Sequence, residues 1–177
     1  GTSLSFDGQE FTVGKGERVA ILGPNGSGKS TLLSLLLGLL KSTEGEINVL
    51  GVNPGADYEK VRERIGALLQ NVELQIIAPR VWDDISFSPR NYGYDKEETD
   101  KLVEELLVKL DIDHLRDKVP HYLSGGEKTK VAIAGALATR PELLILDEPF
   151  EHRGPTCRKE QINLLNSVNR EHGTAIV

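Results

Sequence analysis

Two short runs of residues carry the chemistry open to this chain. The first is Gly23-Pro24-Asn25-Gly26-Ser27-Gly28-Lys29-Ser30-Thr31. It fits the pattern G-x-x-x-x-G-K-[ST] of a phosphate-binding loop. Glycines at this density let successive backbone N–H groups turn toward one point and cradle a β-phosphate. A helix opening at the end of the loop adds the partial positive charge of its N-terminus. In that geometry Lys29 reaches the β- and γ-phosphates, and the Ser30 hydroxyl binds Mg²⁺. The second run is Asp147-Glu148, directly after Leu143-Leu144-Ile145-Leu146. Carboxylates at the carboxyl end of a central strand point into the crevice where α/β sheets bind ligands. Beside a phosphate loop, Asp147 is suited to hold Mg²⁺, directly or through water, and Glu148 to polarise an attacking water as general base.

A third run, Leu123-Ser124-Gly125-Gly126-Glu127, opens a helix. Ser124 and Glu127 stand at capping-box spacing. The same two glycines at a helix start also make an anion site. Two phosphate-binding helix starts in one chain do not easily grip one nucleotide if the second projects away from the first. Two copies placed head to tail would bring them together.

The elements that position these runs are legible from pattern. Val19-Ala20-Ile21-Leu22 reads as a strand leading into the loop, and Thr31 to Leu37 as a buried helix behind it. Leu4-Ser5-Phe6, Glu10 to Val13 and Glu46 to Leu50 read as further strands, and Tyr58 to Arg64 as a short charged helix. Ile65 to Leu69 is an apolar run ending at Gln70. From Asn71 to Tyr94 the chain carries prolines and aromatics without clear periodicity. Asp95 and Glu98 then signal a helix start, followed by the stripe Leu102, Val103, Leu106, Leu107, Leu110. A second helix is expected from about Gly126 to Thr139, ending before Pro141. Leu143 to Leu146, apolar throughout, suits a parallel strand covered on both faces. A last helix over about Thr156 to Arg170 leads to the strand-like Thr174 to Val177. The expected fold class is α/β: a P-loop NTPase core with a mostly parallel sheet flanked by helices, small antiparallel N-terminal strands and an inserted helical subdomain. One domain over 1–177 is expected, with a core of about 1–70 and 140–177 and an insert of about 71–139.

Composition narrows the class. The 177 residues suffice for one domain with a proper core. A net charge of −6 and a pI near 5.3 lack the basic footprint of a nucleic-acid binder. Cys157 is the single cysteine, so no internal disulfide forms, and a reduced cytosolic compartment fits. The longest near-continuous apolar run, Leu32 to Leu40, is broken by Ser34 and Gly38 and falls short of a membrane span. The chain contains no methionine and starts at Gly1, so truncation at both ends is expected.

The order GPNGSGKST, then Gln70, then LSGGE, then LLILDEP resembles the ABC-type ATPases over almost the whole chain. The likeness is closer still to the ATPase subunits of energy-coupling-factor and cobalt/nickel-type importers. It rests on Gln70-Asn71-Val72-Glu73-Leu74-Gln75, on Val81-Trp82-Asp83-Asp84-Ile85-Ser86-Phe87-Ser88-Pro89-Arg90-Asn91-Tyr92-Gly93, and on the run from Leu123 to Ala138. The resemblance implies that Gly23 to Thr31 bind the phosphates of one ATP. It implies that Gln70 contacts Mg²⁺ and the attacking water and senses a membrane partner. Ser124, Gly125 and Gly126 are implied to bind the γ-phosphate held by an opposing ATPase subunit, either a second copy or a related chain. Closure of the pair does mechanical work, and hydrolysis through Glu148 reopens it. The segment from Asn71 to Tyr94 is implied to dock a coupling helix of a transmembrane subunit, against core packing as the plain reading of Trp82 and Phe87. The implied location is cytoplasmic, peripheral on the inner face of the cell membrane.

The sequence departs from the family's pattern after Pro149. Phe150-Glu151-His152-Arg153-Gly154-Pro155 stands where the family reads like T-A-G-L-D-P, with Gly154 in place of the aspartate. No histidine follows the strand at Thr174, and His172 precedes it. The adenine-stacking aromatic of the family lies upstream of its first strand; Phe6 and Phe11 read as core residues instead. Two other readings compete. One is a non-transport ABC ATPase acting on DNA or ribosomes, although about 95 residues between Lys29 and Ser124 leave no room for a long coiled coil. The other is a regulatory half-site that binds ATP and turns it over weakly.

Overall fold

The computed structural model describes residues 11–148 and 155–177, with residues 155–158 and 160 described by their backbone alone. Leu4 to Phe6, Glu10, Pro149 and the run Phe150 to Gly154 therefore lie outside the described residues.

The sheet is built from β1 (Ile65–Leu68), β2 (Leu143–Leu146) and β3 (Ala175–Ile176), in the order β1-β2-β3, all parallel. β2 is apolar at every position because both of its faces are covered. Leu144 turns into one hydrophobic cluster, with Leu68 and Ile176, under the helices. Leu143 and Ile145 turn into a second, with Ile65, Ala175 and Val177. The strand's period of two thus sorts one apolar run between two cores.

The second cluster is closed by α1 (Lys29–Leu36), which contributes Leu33 and carries Leu37 just beyond its end. The first is closed by α3 (Val81–Asn91), α4 (Lys96–Lys109) and α5 (Gly125–Leu137), all inserted between β1 and β2, and by α6 (Pro155–His172). α2 (Pro54–Asp57) is a single turn capped by the Asn53 side chain, which accepts from Gly55 N. α4 starts where the sequence places it. Asp95 accepts from Glu98 N at 2.8 Å, and Leu102, Val103 and Leu107 are buried. α5 packs directly on β1, and Gly66 makes that possible. A Cβ built at Gly66 falls 2.3 Å from the carbonyl oxygen of Ala136 and 3.0 Å from Leu144 Cδ1. Gly66→Ala is therefore expected to destabilise the fold by about 2–3 kcal/mol through overpacking, read as a lower denaturation midpoint at unchanged slope.

Expected elements take another form in three stretches of the chain. Among the described residues, the segment from Phe11 to Leu22 meets the sheet at one rung. Arg18 bridges Ile176 in parallel, with Val19 N donating to Ile176 O at 2.8 Å and Ile176 N to Glu17 O at 2.8 Å. β3 is two residues long, so the backbone of Val19 to Leu22 runs past it without a ladder, and Phe11 is 48% exposed rather than in the core. Glu46 to Leu50 does not pair as a strand either. Val49 and Val52 exchange both N–H bonds across a tight turn, with Leu50 and Gly51 at φ 53° and 88°. Two successive positive φ values define a hairpin-type turn, and the Asn48 side chain secures it by accepting from Gly51 N. Most of the expected small N-terminal antiparallel strands, Leu4 to Phe6 and Glu10, lies outside the described residues. Tyr58 to Arg64 divides into two 3₁₀ turns, 58–60 and 62–64. Conversely, the aperiodic stretch before Tyr94 contains α3, three turns long.

Candidate functional site

The phosphate loop curls because Gly26 and Gly28 take φ values of 81° and 92°, a region closed to most side chains. Gly28 is the left-handed residue that opens α1. The first-turn N–H groups of Lys29, Ser30 and Thr31 find no acceptor among the described residues, as expected at a helix start. Lys29 folds back over the loop, its Nζ donating to Gly23 O at 3.1 Å and Pro24 O at 3.3 Å.

The sheet then delivers the acidic groups. Leu68 of β1 pairs in register with Leu146 of β2, and Asp147 N extends the ladder by donating to Leu68 O at 2.8 Å. Gln70 and Glu148 thus leave adjacent strands at the same offset, two residues past the last pair. Their side chains meet, with Gln70 Nε2 donating to Glu148 Oε2 at 3.2 Å. Glu148 also lies 3.6 Å from Lys29 Nζ through its other oxygen. Asp147 Oδ1 accepts from Ser30 Oγ at 3.2 Å. Five residues that the sequence scatters over 120 positions, Lys29, Ser30, Gln70, Asp147 and Glu148, form one polar cluster at the carboxyl edge of the sheet. Glu148 holds a φ of 48°, uncommon for a residue with a side chain and a local cost that the tertiary structure must offset. Nothing in the sequence signals that strain.

Whether the cluster fits a nucleotide with its metal can be judged from its donors. Unsatisfied N–H groups and one ammonium surround the loop, which suits phosphate oxygens. Ser30 and Asp147 offer two hard oxygen donors side by side. Mg²⁺ is bound by one or two protein oxygens with water and phosphate filling the rest, so this pair fits it. Among the described residues no group of three or more His, Cys, Asp or Glu side chains forms a self-sufficient metal cage.

Ser124, Gly125 and Gly126 are not brought to this cluster. They form the start of α5, with a complete capping box. Ser124 N donates to Glu127 Oε2 at 2.7 Å, Ser124 Oγ to the same oxygen at 2.6 Å, and Glu127 N to Ser124 Oγ at 3.4 Å. The Ser124 hydroxyl and then its N–H hold the Glu127 carboxyl below the usual carboxylate range. Ser124 and Gly125 remain exposed. The capping reading of this run and the anion-site reading coexist, since the box uses the N–H groups of Ser124 and Glu127 and leaves those of Gly125 and Gly126.

The segment after Gln70 is more ordered than its sequence suggests. Gln75 fastens it to β1, donating to Ala67 O at 3.0 Å and accepting from Leu69 N at 2.7 Å. Asp84 of α3 accepts from Ile77 N and Ala78 N, while burial pushes its carboxyl above the usual range. A cleft of about 230 Å³ opens between β1, α3 and α5, lined by Gly66, Gln75, Ile77, Asp84, Phe87 and Tyr92 among others. None of the five clustered residues lines it. Leu74, Ile77 and Phe87 are exposed around this segment, whereas Trp82 packs partly buried on the first cluster under the guanidinium of Arg116, 4.3 Å from its ring. The two aromatics therefore separate: Trp82 serves packing and Phe87 faces outward. No helix among the described residues is long and apolar enough to cross a membrane.

Comparison with known proteins gives the family and the fold. The family model described as ABC transporter matches residues 6–151. The energy-coupling factor transporter ATP-binding protein EcfA of Methanocaldococcus jannaschii is 42% identical over 180 residues, covering 100% of this chain and 64% of that protein. Among solved structures, cbiO1 from Clostridium perfringens, part of the ABC transporter complex cbiONQ, superposes with a TM-score of 0.84 at 38% identity, over 94% of this chain and 67% of that one. The ATP-binding cassette MJ0796, solved as a dimer in a post-hydrolysis state with ADP and Pi, superposes with a TM-score of 0.83 at 29% identity, over 94% of this chain and 75% of that one. The chain spans less than two thirds of the length of several curated relatives it matches, EcfA included. The phosphate loop, the strand-end carboxylates and the helix start at Ser124 therefore lie on a known fold, the α/β P-loop NTPase, and the chain belongs to the ABC transporter family, beside the energy-coupling factor ATP-binding proteins.

Proposed function

We propose that this chain is the ATP-binding and ATP-hydrolysing part of a subunit that powers an importer of the energy-coupling-factor or cobalt/nickel type. The observation that carries this reading is the convergence of Lys29, Ser30, Gln70, Asp147 and Glu148 while Ser124 to Gly126 stand apart, with Ser124 and Gly125 exposed. One half of a catalytic cage is assembled, and the other half faces outward for a second ATPase subunit. We read residues 1–177 as one domain, with a core of about 1–70 and 140–177 and a helical insert of about 71–139. The work is done on the inner face of a membrane, with transmembrane subunits docked along the segment between Asn71 and Tyr94.

The chain's own groups supply the steps. The loop from Gly23 to Thr31 binds the phosphates of ATP, and Lys29 exchanges its carbonyl partners for phosphate oxygens. Ser30 and Asp147 are the donors that would hold Mg²⁺, whose chemistry there is to neutralise charge on the phosphate oxygens. Glu148 accepts the proton of the attacking water. Gln70, bonded to Glu148, orients that carboxylate and links it to the docking segment. Ser124, Gly125 and Gly126 of the opposing subunit close on the γ-phosphate from the other side.

Ser124→Arg tests the arrangement. The substitution places a bulky cation on an exposed helix start that makes no hydrogen bond or ion pair to the phosphate loop among the described residues. Binding of ATP by a single subunit is expected to be unchanged within about a factor of two, since the surface change is remote from the loop. ATP-dependent association of two ATPase subunits, followed by sedimentation velocity, is expected to be lost. Undiminished association would overturn the opposed-site reading.

A further inference from the structure

The run between Gln70 and α3 is fastened to its surroundings by several side chains, Gln75, Asp84, Arg80 and Glu73 among them, and the tie through Glu73 connects two halves of the site. Gln75 ties it to β1, and Asp84 ties Ile77 and Ala78 to α3. The tie to α5 is Glu73, whose Oε1 accepts from Lys128 Nζ at 2.7 Å. Glu73 lies three residues after Gln70, in a 3₁₀ turn at 72–74 whose start is secured by Asn71 accepting from Glu73 N at 3.2 Å. Lys128 lies in the first turn of α5, and its N–H donates to Ser124 O at 2.9 Å. The lysine is thus one helical turn from the serine that opens the exposed helix start.

The two partners sit in unequal surroundings. The Lys128 side chain is 15% exposed and that of Glu73 is 66% exposed. The ammonium is drawn in against the turn while the carboxylate stays wet. A pair with one partner in water adds little to stability, so its value is geometric. It joins the loop that carries Gln70 to the helix that carries Ser124 by a direct side-chain bond. The bond is direct, charge-assisted and made at the end of α5 where the chemistry lies.

We propose that Glu73 and Lys128 are positioning residues: their bridge fixes the angle at which α5 presents Ser124, Gly125 and Gly126 to the nucleotide held by an opposing subunit, in step with the Gln70 loop. Neither residue belongs to the cluster of Lys29, Ser30, Gln70, Asp147 and Glu148. This rests on the opposed-site reading above, and adds to it a mechanical link within each subunit.

The test is a double-mutant cycle in the full-length protein with its second ATPase subunit. Glu73→Gln and Lys128→Gln are each expected to weaken ATP-dependent association about fivefold and to lower kcat in parallel. ATP affinity of the lone subunit and its thermal midpoint are expected to stay at their unaltered values. The double variant Glu73→Lys with Lys128→Glu is expected to restore association to within about twofold, because it rebuilds the bridge with reversed charges. A role confined to stability would lower the midpoint instead and would leave the kcat of folded protein untouched. Single substitutions without effect on association overturn the proposal when Ser124→Arg, run alongside, abolishes it. A charge-reversed pair that fails to rescue overturns it too. If Ser124→Arg is itself without effect, the opposed-site reading falls, and the positioning role falls with it.

Discussion

Lys29→Ala is expected to lower ATP affinity by about a hundredfold or more. The Lys29 Nζ sits over the loop, bonded to Gly23 O and Pro24 O and 3.6 Å from a Glu148 oxygen. It is the group of the cluster that brings a full positive charge to the phosphates. A hydrogen bond to a charged group contributes about 1.5–3 kcal/mol, and two such bonds correspond to about two to four powers of ten in affinity. Alanine also leaves Glu148 without its nearby cation, so the carboxylate would face the γ-phosphate uncompensated. Both effects have the same sign. The fold should be indifferent, because among the described residues the side chain bonds to its own loop and one partly exposed carboxylate. Titration calorimetry with ATP measures the loss, and a circular dichroism melt checks the fold. Retained micromolar affinity in a folded variant would remove the loop from its assigned role.

Glu148→Gln separates binding from chemistry. Glutamine keeps the length of the side chain and an oxygen to accept from Gln70 Nε2, so the cluster keeps its shape. It loses the basic site. General-base catalysis contributes about 10²–10⁴ in rate, and turnover is expected to fall within that range. ATP affinity should hold or rise, since one negative charge near the phosphates is gone. The expected product is a pair of subunits held together by unhydrolysed ATP, visible as a stable dimer in size-exclusion chromatography. Steady-state phosphate release gives the rate. An unchanged rate would take Glu148 out of the base role and leave Gln70 holding the wrong group.

The parts of the site that were legible in advance are those with local signals. The phosphate loop, β2, the Asp95 start of α4 and the capping box at Ser124 each depend on residues within a few positions of one another. α3 was not legible because its buried positions are Val81, Ile85, Ser86 and Pro89. A serine and a proline interrupt the apolar stripe, a proline inside a helix argues for an end, and Arg80 supplies no cap. The strands expected from Val19 to Leu22 and Glu46 to Leu50 have the right residue types. A strand also needs a neighbour of matching length, and propensity does not report on neighbours. The links Glu73–Lys128 and Gln70–Glu148 join residues 55 and 78 positions apart. No periodicity in one sequence can reveal such pairs.

The common offset of Gln70 and Glu148 from the last rung of β1 and β2 has one more consequence. Successive residues of a strand face opposite ways, so a slip of one residue between β1 and β2 turns one of the two side chains to the other side of the sheet. It would also carry Leu143 and Ile145 into the wrong cluster. ATP turnover is therefore a gauge of strand register. A preparation of this chain could keep its helix content, and so its far-ultraviolet spectrum, with the sheet misaligned by a single step, and the loss of phosphate release would be the first sign of it.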